Sequence, residues 1–315
     1  MKTILVTGGA GYIGSAAVKA LISKGHEVVV VDNLSKGDKK LVDSKADFYE
    51  VDLVDIDKLR EVFQKHKFDS VMHFAAYKAV EESMTRVDKY SDNITGTINL
   101  LRCMVEFEVK QIIYSSTAAV YGIPTEVPVT EESPTVPINY YGYTKLASEQ
   151  IIEWFGQAHN LQYAVLRYFN VAGDGGLGYI DPNANNILPI IMEVLSGKRA
   201  KLTIFGKDYD TPDGTCVRDY FDVNDLIDAH VLALDLKTSE IINLGTAKGS
   251  SVTELVTATE KVTGKKLPHE YGDRRPGDPA VTVSSNDKAK KVLDWEPKRS
   301  IEDMIKSMWE VYQKQ

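Results

Sequence analysis

Two side chains near the middle of the chain, Tyr141 and Lys145, have the types and the spacing for proton chemistry. They stand at positions i and i+4 at the start of a predicted helix, so they share one helix face. Removing a proton from a sugar or alcohol hydroxyl needs a base whose pKa lies near the working pH. The pKa of a free tyrosine, about 10, is too high for that task. We expect the neighbouring ammonium group to lower the pKa of Tyr141.

A cluster of three hydroxyl side chains, Ser115, Ser116 and Thr117, comes at the end of a predicted strand. Clusters of this kind usually form hydrogen bonds with their own turn, and that alternative stays open here. Their position before the Tyr–Lys pair on the same scaffold favours a role in binding a substrate hydroxyl.

A glycine-rich turn at the start of the chain predicts the cofactor. Gly8, Gly11 and Gly14 follow an apolar strand pattern and lead into a helical one. Glycines let the backbone approach a pyrophosphate, which the helix N-terminus attracts. Asp32 ends the next strand, where a carboxylate meets ribose hydroxyls and repels a 2′-phosphate. The pattern therefore predicts NAD rather than NADP. The alternative is a structural turn with an N-capping aspartate.

The elements that must position these residues alternate between strand and helix through the first half of the chain. This alternation predicts an α/β protein with a Rossmann-type doubly wound parallel sheet, whose ligands bind beyond the carboxyl ends of the strands. The second half predicts a smaller mixed α/β C-terminal substrate domain. The first predicted domain comprises residues 1–170 and a returning segment, 219–246. The second comprises residues 171–218 and 247–315. The predicted strands are 3–7, 27–32, 47–51, 69–74, 111–115, 163–168, 202–205 and 241–244, and the predicted helices are 13–22, 56–67, 80–107, 140–158, 188–195, 225–236, 252–262, 286–293 and 301–312.

Four further residues have types that suit a ligand site but also suit other roles. Lys78 follows the strand at 69–74, where it could reach a phosphate or be a surface lysine. His73 ends that strand, and we expect a packed core histidine. Arg274 and Arg275 form a basic turn, which could bind phosphate or form a surface salt-bridge cluster.

Composition excludes several classes of partner. The 315 residues include 37 basic and 45 acidic side chains, a net charge of −8, which argues against nucleic acid or an anionic membrane surface as a partner. Cys103 and Cys216 lie too far apart for a metal-site spacing, so we expect reduced thiols and no metal. A membrane span and a signal-peptide core are also not expected from the hydropathy pattern. We therefore predict a cytoplasmic protein.

Nine short motifs carry a resemblance to a known family. They are 7–14, 31–34, 73–83, 115–122, 141–145, 167–170, 185–189, 217–220 and 275–278. Over essentially its whole length the chain resembles the extended short-chain dehydrogenase/reductases that act on nucleotide-diphosphate sugars, and among them the C4 epimerases of UDP-hexoses.

The resemblance implies a reaction and a role for each residue of the Tyr–Lys–hydroxyl group. The reaction is reversible C4 epimerisation of UDP-glucose and UDP-galactose through a transient 4-keto sugar, with tightly bound NAD. Tyr141 would take the proton of the sugar 4-hydroxyl, and Lys145 would tune Tyr141 and bind the nicotinamide ribose. Thr117 would share that proton in place of the family's usual serine. A 4-epimerase specific for UDP-GlcNAc or UDP-glucuronate, and a non-catalytic dinucleotide-sensing regulator, remain alternatives.

The resemblance also implies the ligand contacts and the assembly. The predicted cofactor-binding residues are Gly8, Gly11, Tyr12, Ile13, Gly14, Asp32, Asn33, Asp52, Leu53, Phe74, Ala75, Ala76, Lys78, Asn93, Ser115, Tyr141, Lys145 and Tyr168. The predicted substrate-binding residues are Lys78, Thr117, Tyr141, Asn170, Asn186, Phe205, Arg218, Arg275, Asp278 and Thr282. The family usually forms homodimers through two helices per subunit, which correspond here to 88–107 and 140–158.

Two positions discriminate within the family. Ala118 and Ala119 stand where related 4,6-dehydratases carry an Asp-Glu pair. A methyl group cannot move a proton, so dehydration is disfavoured, as is a decarboxylase with Glu at that site. Thr282 stands where a bulky tyrosine in some relatives crowds the C2 substituent of the sugar. We therefore expect UDP-N-acetylhexosamines to be accepted as well.

Overall fold

The computed structural model describes residues 1–180, 186–275 and 277–314. The chain divides into two compact units. Unit 1 comprises Met1–Gly122, Pro134–Tyr168 and Ile227–Ile242. Unit 2 comprises Ile123–Ser133, Phe169–Leu226 and Asn243–Gln315.

Strands and helices are numbered in chain order. The strands are β1 Thr3–Thr7, β2 Glu27–Asp32, β3 Asp47–Glu50, β4 Ser70–His73, β5 Gln111–Ser115, β6 Gln162–Tyr168, β7 Asn170–Ala172, β8 Leu202–Phe205, β9 Val217–Arg218, β10 Tyr220–Asp222, β11 Glu240–Leu244, β12 Ser250–Ser251, β13 His269–Gly272 and β14 Val281–Thr282. The helices are α1 Tyr12–Ser23, α2 Ile56–Lys65, α3 Val80–Ser83, α4 Val87–Tyr90, α5 Asp92–Glu106, α6 Tyr140–His159, α7 Ile187–Leu195, α8 Val223–Leu232, α9 Val252–Thr263, α10 Asp287–Leu293 and α11 Ile301–Tyr312. Across the described ranges, no helix combines the length and the apolar character that crossing a bilayer requires.

The main sheet has seven strands in the order β11-β6-β5-β4-β1-β2-β3. The five pairings from β3 through β6 are parallel. The order reverses between β1 and β4, which is the switch point where doubly wound sheets bind their ligands. The predicted fold class is therefore confirmed.

The apolar strands explain how this sheet is buried. Leu5, Val71 and Ile112 have no exposed surface, and they pack in one cluster with Leu59 of α2 and Leu100 of α5. Strands covered by helices must be apolar on the faces they bury, and the near-continuous valines of β2 follow that rule. The core thereby fixes the carboxyl ends of the strands, where the candidate site residues lie.

Unit 2 is mixed α/β with three small sheets. Strands β10 and β7 form one pair, β13 and β8 another, and β12-β9-β14 a third sheet. Helices α7, α9 and α11 contribute to its apolar cluster, with Leu188, Leu255 and Ile305 fully or almost fully buried. Six of these short strands are absent from the prediction, because two to four residues do not show a strand period.

The predicted helix at 80–107 is also corrected, since the structure has three helices there. Arg86 separates α3 from α4 with non-helical angles, φ −122° and ψ 54°. Ser91, at the end of α4, precedes α5, and its hydroxyl forms a 2.8 Å hydrogen bond with that of Tyr140. The helical period of the sequence does not reveal such breaks.

The compact units also depart from the predicted domain boundaries. Residues 123–133, predicted in the first domain, belong to unit 2 because the Val129 N–H donates to the Val283 carbonyl at 2.8 Å. The returning segment is Ile227–Ile242 rather than 219–246. Its predicted start, Asp219, lies in unit 2, where its carboxylate accepts hydrogen bonds from Thr246 and Ser284.

Candidate active site

The glycine turn after β1 has the close backbone packing that a dinucleotide site requires. Gly8 has φ +74°, and a Cβ there would lie 2.6 Å from the Ala75 backbone nitrogen. The Gly11 N–H donates to the Gly8 carbonyl at 3.1 Å, and α1 begins at Tyr12. Within the described residues, no side chain forms a capping hydrogen bond at this helix start, and its first turn holds no acidic residue. The turn therefore fits a pyrophosphate.

Asp32 is buried at the end of β2 and shapes this turn. One carboxylate oxygen accepts the Ala10 N–H at 3.0 Å and the other accepts the Leu34 N–H at 2.8 Å. Burial raises the pKa of Asp32, whereas these two backbone hydrogen bonds act in the opposite direction. The Asn33 amide donates to the Asp52 carboxylate at 2.8 Å. Carboxylate oxygens have several lone pairs, so both acids keep capacity for ribose hydroxyls.

The end of β4 contains a core histidine and a fixed loop. His73 lies between the hydroxyls of Thr7 at 2.7 Å and Thr97 at 3.0 Å, and burial lowers its pKa to about 3. It is therefore a neutral, packed core residue rather than an acid or base. Beyond it, the Asn93 side chain forms hydrogen bonds with the backbone N–H and carbonyl of Tyr77. This fixes the segment that carries Phe74, Ala75 and Ala76, while Lys78 is exposed.

Tyr141, Lys145 and Thr117 lie together where β5 meets α6. The Lys145 ammonium donates to the Ser115 carbonyl at 2.7 Å and stands 4.7 Å from the ring centroid of Tyr114. The Thr117 side chain lies near enough to Tyr141 to influence its pKa, and the Thr117 hydroxyl accepts the Ala119 N–H at 3.2 Å. Tyr141 and Lys145 are only 8% and 3% exposed.

Burial controls the electrostatics of this group. It raises the pKa of Tyr141, and the nearby polar side chain of Thr117 acts in the opposite direction. Burial also lowers the pKa of Lys145 to about 7, while the charge of Glu149 opposes that change. The expected lowering of the Tyr141 pKa by Lys145 is therefore not found in the protein alone. The physical reason is that the ammonium donates to the Ser115 carbonyl, and both side chains lose solvation.

The neighbouring alanines restrict the available proton chemistry. Ala118 and Ala119 begin a short 3-10 segment, Ala118–Tyr121, directly after Thr117. Gly142 on α6 lies close to this segment, because a Cβ there would be 2.6 Å from the Ala119 carbonyl oxygen. Neither methyl group can act as an acid or base, so these two positions add no proton-transfer group to Thr117 and Tyr141.

The predicted substrate contacts of unit 2 are more exposed. Arg218 donates to the Asp278 carboxylate at 2.5 Å, and the Arg275 guanidinium lies 4.1 Å from the ring centroid of Phe205. Asn170 begins β7 and Asn186 precedes α7, both with exposed side chains. Asn185 and Pro276 of the family motifs lie outside the described residues.

Thr282 and Arg274 have contrasting environments. Thr282 pairs with Arg218 across β14 and β9, and its hydroxyl oxygen is buried without a hydrogen-bond partner among the described residues. Arg274 instead forms a salt bridge with Asp208 at 2.7 Å and covers the Tyr209 ring. Arg274 therefore fits the alternative of a surface salt bridge. Among the described side-chain contacts, that of Arg275 is with the face of an aromatic ring.

Sequence reasoning missed a buried polar group beside the Tyr–Lys pair. Glu149 forms a salt bridge with Arg167 at 2.6 Å and also accepts the hydroxyl of Ser116. Its spacing, one helical turn beyond Lys145, was the signal that could have revealed it.

The placement of the cysteines and of the other metal-ligating side chains can be compared with the requirements of a metal site. Within residues 1–180, 186–275 and 277–314, no group of three or more His, Cys, Asp or Glu side chains could bind a metal ion. Burial raises the pKa of the Cys103 thiol to about 11 and also raises that of Cys216. Both therefore stay protonated thiols near neutral pH.

Comparison with known proteins decides the family. The sequence profile described as the NAD dependent epimerase/dehydratase family matches residues 4–245. The chain belongs to this family. A relative from Lactobacillus helveticus, named UDP-glucose 4-epimerase, is 47% identical over 97% of this chain and 96% of its own length.

Two solved structures of the same family share the fold. The UDP-glucose-4-epimerase of Stenotrophomonas maltophila, with bound NAD and formylated UDP-arabinopyranose, is 37% identical with a TM-score of 0.96, covering 100% of this chain and 98% of its own. The UDP-Glc/GlcNAc 4-epimerase of Campylobacter jejuni is 40% identical with a TM-score of 0.89, covering 100% of both chains. The family fold therefore extends over the whole of this chain.

Proposed function

We propose that this protein is an isomerase that interconverts UDP-glucose and UDP-galactose at C4 through a transient 4-keto sugar, with NAD as cofactor. The observation that carries the proposal is the pair of buried side chains Tyr141 and Lys145, with the half-buried Thr117 beside them, on a dinucleotide-binding sheet. The names of relatives that match nearly the full length of the chain support the same reaction.

The residues around β1, β2 and β4 fit NAD. We propose that Gly11, Tyr12 and Ile13 bind the pyrophosphate, and that Asp32 and Asn33 bind the adenine ribose. Asp52, Leu53 and the segment from Phe74 to Lys78 line the same cofactor, with Asn93 fixing that segment. Ser115, Lys145 and Tyr168 bind the nicotinamide ribose end. When bound, NAD supplies the acceptor and donor of the hydride at the sugar C4.

The chain itself moves the proton. Tyr141 accepts the proton of the sugar 4-hydroxyl and later returns it, while Thr117 shares a hydrogen bond with that hydroxyl. Because burial disfavours the phenolate, Tyr141 needs positive charge nearby to act as a base. The Lys145 ammonium supplies part of that charge, and its lowered pKa of about 7 makes this supply sensitive to pH.

We propose that unit 2 binds the UDP moiety. Arg218 and Arg275 bind the diphosphate, since guanidinium groups match phosphate geometry. Phe205 and Asn186 bind the nucleoside, and Asn170 and Asp278 bind hydroxyl groups. The ion pair of Arg218 with Asp278 orients the guanidinium before substrate arrives.

A broader substrate range is proposed from Thr282. Its small side chain leaves room beside a C2 substituent, and its buried hydroxyl has no partner among the described residues. We expect turnover of UDP-GlcNAc. Replacing Thr282 with Tyr should abolish that turnover and leave UDP-galactose turnover unchanged, while no activity with UDP-GlcNAc in the parent protein would refute the broader range.

We also propose a cytoplasmic homodimer. Helices α5 and α6 are the proposed interface, and α6 exposes Trp154 to 68% and Tyr143 to 51%. Large apolar side chains exposed on a helix often mark an interface. Replacement of Trp154 with Glu should convert a dimer to a monomer in analytical ultracentrifugation. A parent protein that sediments as a monomer would exclude this assembly.

The decisive experiment is incubation of the purified protein with UDP-galactose, without added NAD. Formation of UDP-glucose is the expected result. A 4-epimerase specific for UDP-GlcNAc or UDP-glucuronate would instead act only on those sugars in a substrate panel. A non-catalytic dinucleotide sensor would leave every UDP-sugar unchanged, but such a protein has no need for the Tyr–Lys pair.

A further inference from the structure

Three consecutive residues, the last of β5 and the two that follow it, contact one face of α6. The contacts pair Ser115 with Lys145, Ser116 with Glu149, and Thr117 with Tyr141. The α6 partners are spaced at four-residue intervals, so they form a row on the same helix face. The segment at 115–117 and the helix therefore have a defined register, and Glu149 forms one of its three contacts.

Of the three α6 side chains in this row, Glu149 takes part in the most hydrogen bonds among those described. Its side chain is 1% exposed and that of Arg167 is 6% exposed. Arg167 donates to both carboxylate oxygens, from Nη2 at 2.6 Å and from Nε at 3.1 and 3.2 Å. Arg167 also donates to the Tyr121 hydroxyl at 3.0 Å, with its guanidinium 5.1 Å from that ring centroid. Arg167 on β6 thus connects Glu149 of α6 to Tyr121, which ends the 3-10 segment after Thr117.

A buried ion pair is a poor source of stability, because desolvation of the two charges offsets their attraction. Its position here suggests a geometric role instead. On the basis of the function proposed above, we propose that Glu149, held by Arg167, is a positioning residue that keeps the Ser115–Thr117 segment in register with Tyr141 and Lys145. Glu149 touches neither substrate nor cofactor in this role. It acts through Ser116, whose neighbours on either side contact the Tyr–Lys pair.

The charge of Glu149 gives this role a measurable signature. Lys145 is surrounded by Glu149 on its own helix, by the neutral His73 of β4 and by the ring of Tyr114 on β5. Glu149 is the acid among these groups, and its charge opposes the effect of burial on the pKa of Lys145. Loss of that charge lowers the pKa of Lys145. The decrease in kcat on the alkaline side should then begin at a lower pH than in the parent protein.

The first test is Ser116→Ala, which removes one contact and leaves the buried ion pair intact. We expect kcat with UDP-galactose to fall about tenfold with KM nearly unchanged, because small misplacements of reacting groups cost up to about a hundredfold in rate. The thermal midpoint should stay close to that of the parent. An unchanged kcat would overturn the proposal.

The second test is the double variant Glu149→Gln with Arg167→Met, which removes both charges so that neither is left buried alone. We expect folded protein with reduced kcat and a high-pH decline displaced to lower pH. The matched control is Asp225→Asn with Arg299→Met. It removes a salt bridge of unit 2 in which the Arg299 guanidinium lies 2.5 Å from the buried Asp225 carboxylate. This control should leave kcat and its pH profile unchanged.

The outcomes separate this inference from the proposed function. If the parent enzyme converts no UDP-sugar, the proposed function fails. If the parent is active and the Glu149 double variant matches it in kcat and in pH profile, the positioning role is wrong. Equal losses of kcat in the Asp225 control would also overturn the role, because the effect would then be general destabilisation.

Discussion

The proton-transfer group of unit 1 and the proposed UDP-binding residues of unit 2 differ in burial. Tyr141 and Lys145 are 8% and 3% exposed, whereas Phe205 is 36% exposed and Arg275 is also exposed. A buried group is held by many contacts, and its pKa values respond strongly to neighbouring charges. An exposed group adapts to its ligand and is screened by salt. The first region should therefore control kcat and its pH dependence, and the second should control affinity.

The largest effect should follow removal of the Tyr141 hydroxyl. Tyr141→Phe eliminates the group that we propose accepts the sugar proton, and general acid–base catalysis contributes about a hundred- to ten-thousandfold in rate. We expect kcat to fall within that range in a coupled assay of UDP-glucose formation, with KM changed little. A variant that loses affinity rather than kcat would contradict the assignment of this region to the chemical step.

The contrasting change in unit 2 is Arg275→Ala. Loss of a charge-assisted contact of about 1.5–3 kcal/mol should raise KM for UDP-galactose about ten- to a hundredfold and leave kcat nearly unchanged. Arg274→Ala is the matched control, because Arg274 forms a salt bridge with Asp208. A fall in kcat with constant KM for the Arg275 variant would remove the distinction between the two regions.

Burial in unit 1 also predicts how stability depends on pH. The folded-state pKa of His73 is about 3, below its ordinary value of 6.5, so the unfolded chain binds the extra proton between these values. The free energy of unfolding should therefore fall as pH drops below about 6.5, by up to about 1.4 kcal/mol per pH unit from this group. Urea titrations at pH 5 and pH 7 should show a smaller decrease in the free energy of unfolding for His73→Gln than for the parent protein. Parallel curves for the two proteins would contradict the assignment.

The smallest effect should come from Thr117→Ser, which keeps the hydroxyl and restores the residue usual in the family. We expect kcat to change by less than about threefold. Thr117→Val, which keeps the shape and removes the hydroxyl, should reduce kcat about fivefold, in line with roughly 1 kcal/mol for a lost hydrogen bond. Equal rates for the Val and Ser variants would show that the hydroxyl takes no part.

Much of the first region could be predicted from sequence, because its elements are long and strongly patterned. The buried valines of β2 and the glycines before α1 have distinct signals. The short strands of unit 2, such as β9 and β14, have no period to detect. The lowering of the Tyr141 pKa that we expected from Lys145 is not found in the protein alone, because sequence shows neighbours along a helix but not the loss of solvation around them. Glu149 has a detectable spacing, yet its partner Arg167 becomes visible only in three dimensions.

The most direct test of the account follows deuterium placed at C4 of UDP-galactose, using purified protein without added NAD. The account predicts UDP-glucose that keeps the deuterium at C4, formed by the parent protein and by Arg275→Ala at high substrate, and almost none formed by Tyr141→Phe. Loss of the deuterium to solvent, or equal conversion by Tyr141→Phe and the parent, would contradict it.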